Sequence, residues 1–179
     1  MGSRLTVLFF FLLAGNLGFG QDIAESMPWE ASRKLTWEDF KGSVPPNTEP
    51  AATTASGISY EYSANLIHHE VKLDFEVTAF FYPQESWYKP DVCDAHILQH
   101  EQLHFDISEV FARRMRMKLR NTSFTENVKS EIRAIYRQTL KELEELQEKY
   151  DWETNFSRNP EAQERWNAQI KEALDRLPE

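Results

Sequence analysis

The sequence predicts an α+β fold: an antiparallel β-sheet from the N-terminal half, packed against three helices from the C-terminal half. Three observations predict it. Two segments in the first half, around Ile58–Tyr62 and Val71–Phe81, alternate apolar and polar residues with period two, the mark of half-buried strands. From Asp94 to Arg120 the chain holds no glycine or proline, and its composition favours helix. Beyond Asn121 a helical apolar period returns twice, each time behind a helix-start signal.

Residues 1–20 stand apart from this domain. Arg4 gives a positive start, Leu5 to Leu13 form an apolar run broken only by Thr6, and Gly18 and Gly20 place small residues just before Gln21. That is the pattern of a secretory signal peptide cleaved after Gly20. The apolar run is short for a membrane span and ends in glycines, and no cysteine follows it to carry a lipid. The expectation is a secreted or periplasmic protein, residues 21–179, with no membrane anchor after cleavage.

Residues 21–34 read as a polar leader. Leu35-Thr36-Trp37-Glu38-Asp39-Phe40 mixes large apolar and acidic residues and closes at Gly42. Proline content makes Val44–Pro50 a loop, and Ala51 to Ser56 are small enough to run close against another backbone. Ile58, Tyr60 and Tyr62 then alternate with Ser59 and Glu61. Val71, Leu73, Phe75, Val77, Ala79 and Phe81 alternate with Lys72, Asp74, Glu76 and Thr78. Ser63-Ala64-Asn65 is the expected connection of an antiparallel pair, and Pro83 ends the sheet. The first long helix begins at Asp91 or Asp94 and closes at Asn121. Ser123 with Glu126 reads as a capping box for a second helix reaching about Tyr150. Its buried stripe is Ile132, Ile135, Tyr136, Leu140, Leu143, Leu146 and Tyr150. Asn159-Pro160 is an N-cap followed by proline at the first helical position; it opens a third helix through Leu177, with Trp166 and Ile170 on one face.

The chain of 179 residues carries a formal charge of −9, and −10 once Arg4 is removed. Such a protein is poorly suited to phosphate backbones or anionic lipid, so nucleic acid is excluded as a partner and a peptide or protein substrate is expected. Cys93 is the single cysteine, so no internal disulfide can form. The fold depends on its core, with or without a metal.

The chemistry concentrates in His100-Glu101-Gln102-Leu103-His104, an H-E-x-x-H sequence. Residues four apart share one helix face, so both imidazoles can reach one Zn²⁺. Glu101 stands beside the first ligand, where a carboxylate can take the proton of a zinc-held water. This makes the first long helix a zincin-like active-site helix. His96 shares the face but lies too far along the axis to join the same ion as His104. It reads as a satisfied core histidine or a cleft residue, and His69 as a strand histidine. Catalytic zinc takes a third protein ligand. Asp106 and Glu109 point away from His100, and Glu109 is placed to pair with Arg113. The third ligand is therefore expected from the second helix or just beyond it, among Glu142, Glu145, Asp151 and Glu153.

Several stretches together resemble a family of secreted bacterial proteins, domain-of-unknown-function family 922, described as candidate zinc-dependent proteases. They are Leu35–Gly42, Phe81–Trp87, Leu98–Glu109 with Ala112-Arg113, and Tyr150–Asn155 followed by Gln163 and Trp166. The resemblance implies that His100 and His104 are metal ligands and Glu101 the general base. The family also has a His-Gly pair shortly after the second helix, where this chain has Phe156-Ser157. Phenylalanine cannot coordinate a metal, so either a nearby carboxylate replaces that histidine or the site is degenerate. Glu153 is expected first and Asp151 next, both within five residues of Phe156. The functional expectation is a zinc-dependent peptidase whose strand edge holds an extended peptide. The alternative is a relative that keeps the fold and binds a peptide or partner without hydrolysis.

Overall fold

The computed structural model describes residues 26–67 and 70–178. The expected signal segment and His69 lie outside the described residues. The chain runs β1 (Met27–Pro28), β2 (Ala52–Thr53), β3 (Ser56–Ile67), β4 (Glu70–Phe81), β5 (Trp87–Tyr88), α1 (Ala95–Arg120), α2 (Val128–Thr154) and α3 (Pro160–Arg176). A short 3₁₀ turn covers Trp37–Asp39. The architecture is the expected α+β arrangement: antiparallel sheets first, three helices after.

The long strands β3 and β4 pair antiparallel from Ser56↔Phe81 to Ile67↔Glu70, and β1 adds to the other edge of β4. Ser63, Ala64 and Asn65 are not the connection. They lie inside β3, opposite Asp74, Leu73 and Lys72. Their small polar side chains resemble a turn, but the ladder continues because the apolar alternation on β4 continues beside them. The β2–β5 pair is a separate two-stranded sheet, so the small residues after Pro50 do run against another backbone.

Helix α1 is the centre of the molecule. Every residue from His100 to Arg113 is buried, between the β3–β4 pair and the helices α2 and α3. Ile58, Val77, Ala79 and Phe81 meet Ile107, Val110, Phe111 and Met115 from the sheet side. Ile132, Leu143, Tyr150, Trp166 and Ile170 close the core from the helical side. His100, Gln102, His104, Asp106, Ser108, Glu109 and Arg113 survive burial because each has a partner. Gln102 accepts from the Leu35 amide at 2.7 Å and donates to Asp106 at 2.8 Å, which also takes the Trp29 indole N–H at 2.7 Å. Glu109 pairs with Arg113, as its spacing predicts, and with Arg116, both at 2.9 Å.

Helix ends depart from expectation at α2. Thr125, not Ser123, organises the start: its hydroxyl and amide both bond to the Glu131 carboxylate, at 2.6 and 3.0 Å. The helix also runs past Tyr150 to Thr154, where Asn155 stops it in the left-handed conformation. Asp94 caps α1 by accepting from the Ile97 amide at 2.9 Å. Asn159 caps α3 through the Ala162 amide at 3.2 Å with Pro160 behind it, as expected.

Candidate metal centre

Helix α1 sets His100 and His104 one turn apart, and α2 lies against that face. The longer α2 brings Asp151 to both rings. Asp151 Oδ1 lies 3.0 Å from His100 Nε2 and 3.0 Å from His104 Nε2, and the two Nε2 atoms are 3.3 Å apart. Two imidazole nitrogens and one carboxylate oxygen thus converge on one point, a set that could hold a metal ion.

Asp151, not Glu153, is the carboxylate the structure brings to the histidines. Two residues along a helix turn a side chain by about 200°. Glu153 consequently faces α3, where its carboxylate takes the Trp166 indole N–H at 2.9 Å and lies 3.6 Å from Lys149. Glu142 and Glu145 sit on the exposed face, bonded to Gln138 and Lys141. His96 is half-buried and satisfied: its Nε2 lies 2.6 Å from the Ser157 carbonyl.

The site is supported on every side. Tyr150 is fully buried and stacks on the His100 ring, with centroids 4.5 Å apart and 21° between planes. His100 Nδ1 lies 3.0 Å from Gln163 Oε1, and the Tyr150 hydroxyl donates to the same oxygen at 2.7 Å. Gln147 donates to the His104 carbonyl and to Ser108 Oγ, both at 3.3 Å.

These contacts shift the protonation of the cluster. Burial alone would lower the His104 imidazole, but the hydrogen bond to Asp151 and the charges of Glu101 and Asp151 outweigh it and hold the group above its ordinary value. Burial would raise the Asp151 carboxyl, yet the hydrogen bonds from His100 and His104 hold it well below the usual carboxylate range. Burial pushes the Tyr150 hydroxyl upward, which keeps it a donor.

A cavity of about 460 Å³ opens beside the three side chains, with Glu101 in its wall. Its other walls include Pro50 to Thr54, Ile97, Gln147 and the loop Phe156–Arg158. The Thr54 hydroxyl bonds to the Glu101 carbonyl at 3.2 Å, tying the residue after β2 to α1 and leaving the carboxylate out of that contact. Lys89 N–H and the Cys93 thiol both donate to the Ala51 carbonyl, at 2.8 and 3.3 Å. Cys93 is half-buried, and burial pushes its thiol up, so it anchors the strand and is no ready nucleophile. Asn155, Phe156 and Ser157 all have positive φ (49°, 53° and 70°), and Phe156 stands exposed at the cavity wall. A larger cavity of about 540 Å³ lies near Trp29 and Glu76, where Glu109 pairs with both Arg113 and Arg116.

Residues 71–159 match the model of the family described as "Bacterial protein of unknown function (DUF922)". The chain resembles that family. The matched stretch takes in β4, β5, α1 and α2, hence His100, Glu101, His104 and Asp151. The Leu35–Gly42 segment, Gln163 and Trp166 lie outside it. No curated protein and no solved structure matches the chain.

Sequence reasoning placed the two histidines by local spacing alone. It missed Gln163 as a partner of His100. The available signal was a polar residue in phase with Trp166 and Ile170 on the buried face of α3, since such a residue needs a partner.

Proposed function

We propose that this protein is a zinc-dependent peptidase of the exported kind, with His100, His104 and Asp151 as ligands and Glu101 as general base. The observation that carries the reading is the convergence of His100 Nε2, His104 Nε2 and Asp151 Oδ1 at mutual distances of 3.0 to 3.3 Å. Donors about 2.0–2.1 Å from a tetrahedral zinc stand about 3.3–3.4 Å from each other, so the set fits with only small adjustment. Two imidazoles and a carboxylate are a known catalytic donor set that leaves one position for water. Zinc bound there would supply Lewis acidity and an acidified water.

The chain's own residues account for the rest. Glu101 lines the cavity next to His100, where its carboxylate can accept the proton of a water and hand it to the leaving amine. Asp151, His100 and His104 fix the point of attack. Lys89 N–H bonds to the Ala51 carbonyl and Ala52 stands opposite Tyr88, so the N–H and C=O of Ala52 turn to the edge of β2 away from β5. Ala52 also lines the cavity. An extended peptide can add to that edge, with its scissile carbonyl beside the histidines. Among the described residues no helix is long and apolar enough to cross a membrane; the secreted or periplasmic location rests on the N-terminal sequence.

The test is metal content followed by hydrolysis. Protein loaded with zinc and dialysed should retain about one equivalent and cleave unstructured peptides, with products read by mass spectrometry. Glu101→Gln should retain the metal and lose cleavage. Protein that keeps no zinc sinks the reading. Protein that keeps zinc and binds peptides without cutting them supports the binding-module alternative.

A further inference from the structure

We infer that Gln163 is the positioning residue of this site: its amide oxygen receives the Nδ1 proton of His100 and so holds the ring with Nε2 directed at Asp151 and His104. The inference rests on the reading that these three side chains hold zinc, and it assigns a role to a helix that lies beyond the matched residues 71–159.

Gln163 is 1% exposed, so its amide has only protein partners. Each of its polar atoms is engaged. The oxygen faces His100 Nδ1 at 3.0 Å and takes the Tyr150 hydroxyl at 2.7 Å; the nitrogen donates to Asn167 Oδ1 at 2.9 Å. Turning the amide over would set its oxygen against Asn167 Oδ1 and its N–H₂ against a hydroxyl that now donates. The 2.7 Å approach of the Tyr150 hydroxyl on one side and Asn167 Oδ1 on the other favour this orientation of the amide. An acceptor held in front of Nδ1 requires that nitrogen to carry the proton. When zinc takes the place of the Nε2 proton shared with Asp151, the imidazole is neutral with its lone pair on Nε2, the form that binds a metal. The Tyr150 ring stacks on His100 at 4.5 Å and restricts its tilt, so orientation and tautomer are held by one buried unit.

Loss of such a partner typically lowers metal affinity about 10–100-fold. The experiment is a zinc titration against a competing chelator, with heat unfolding of the metal-free proteins beside it, on wild type, Gln163→Met, Gln163→Glu and Asn167→Leu. Gln163→Met should weaken zinc about 10–100-fold. Gln163→Glu keeps an oxygen in front of Nδ1 and should bind zinc as tightly as wild type or more so, although it buries a charge and lowers the stability of the metal-free fold. A merely structural role orders the variants the other way: methionine mild, glutamate harmful, zinc affinity unchanged in whatever folds. Gln163→Met with wild-type affinity, or Gln163→Glu weaker than Gln163→Met, overturns the inference. Asn167→Leu removes the bond that orients the amide from a half-buried position and should fold even if the Gln163 variants do not. Weakened zinc there supports the role, and unchanged zinc overturns it. A wild type that binds no zinc removes the metal reading itself, which is a separate result from a wild type that binds zinc regardless of Gln163.

Discussion

Asp151 and Glu153 provide the sharpest test of how α2 builds the site, because the two carboxylates are neighbours in sequence and the structure assigns them different work. Asp151 Oδ1 touches both histidines at 3.0 Å, whereas Glu153 takes the Trp166 indole N–H at 2.9 Å. Asp151→Asn keeps the volume and removes the anionic ligand. A lost ligand should cost more than a lost supporting bond, so zinc affinity should fall by at least ~100-fold, or about 2.7 kcal/mol. Glu153→Ala should leave zinc affinity within about 2-fold, because its carboxylate faces another helix. It strands the indole N–H of a tryptophan that is 4% exposed, which costs about 1–3 kcal/mol. At about 2–4 °C per kcal/mol for a domain of this size, the metal-free Tm should fall by several degrees. Heat unfolding with and without zinc reads both effects. Zinc at 100 times its Kd stabilises wild type by about 2.7 kcal/mol, so wild type and Glu153→Ala should show a zinc-dependent rise in Tm and Asp151→Asn should show almost none. The reverse pattern, zinc stabilisation lost in Glu153→Ala and kept in Asp151→Asn, refutes the assignment.

Other outcomes follow from the same geometry. Glu101→Gln should lower kcat about 10²–10⁴-fold with zinc content unchanged, measured by metal analysis beside peptide cleavage; undiminished cleavage removes Glu101 as the base. The metal-free protein should be most stable at mildly acidic pH. The depressed Asp151 contributes above its unfolded value, about 3.9, and loses that as pH falls; the raised His104 contributes below about 6.5 and loses that as pH rises through its folded value. Saturating zinc displaces the His104 proton and should move the optimum upward, so identical pH–Tm profiles with and without zinc argue against His104 as a ligand. Phe156→His should add a fourth donor at the cavity wall, tightening zinc while slowing hydrolysis by occupying the water's position; tighter zinc with faster hydrolysis shows that Asp151 leaves the loaded site. Gly42→Ala should destabilise by about 1–3 kcal/mol in chemical denaturation, because an added Cβ would stand 2.8 Å from the carbonyl oxygens of both Gln84 and Ser86.

What could be read from the sequence is what depends on local period. The apolar alternation around Ile58 and Val71–Phe81 located β3 and β4, and the run from Asp94 to Arg120 located α1. The spacing of His100 and His104 sufficed to put both rings on one face. The errors lie where a local signal had a nearby rival. Ser63-Ala64-Asn65 has turn composition but pairs within the ladder, and Ser123/Glu126 has cap spacing while Thr125 and Glu131 make the bonds. Extending α2 by four residues beyond Tyr150 then decides the site. Once the helix continues, Asp151 and Glu153 fall on opposite sides of Tyr150, one toward α1 and the other toward α3. Which side meets which helix is a property of three-helix packing, and no period within α2 encodes it. Burial encodes more. Eight residues from His100 to Arg113 are polar and buried: His100, Glu101, Gln102, His104, Asp106, Ser108, Glu109 and Arg113. Some partner one another along α1, as Glu109 does with Arg113 and Arg116, and the others are buried favourably only if partners arrive from elsewhere. Trp29 and the Leu35 amide serve Asp106 and Gln102, while Asp151, Tyr150 and Gln163 serve the histidine end. The polar stretch of α1 is thus a sequence-level statement that the segments around it must be present for α1 to be buried at all. The matched residues 71–159 contain the proposed ligands, but the Gln163 amide proposed to orient His100 comes from α3 and the Ala52 edge proposed to receive a peptide comes from β2. A site assembled in this way requires the flanking segments to fold together with the H-E-x-x-H helix.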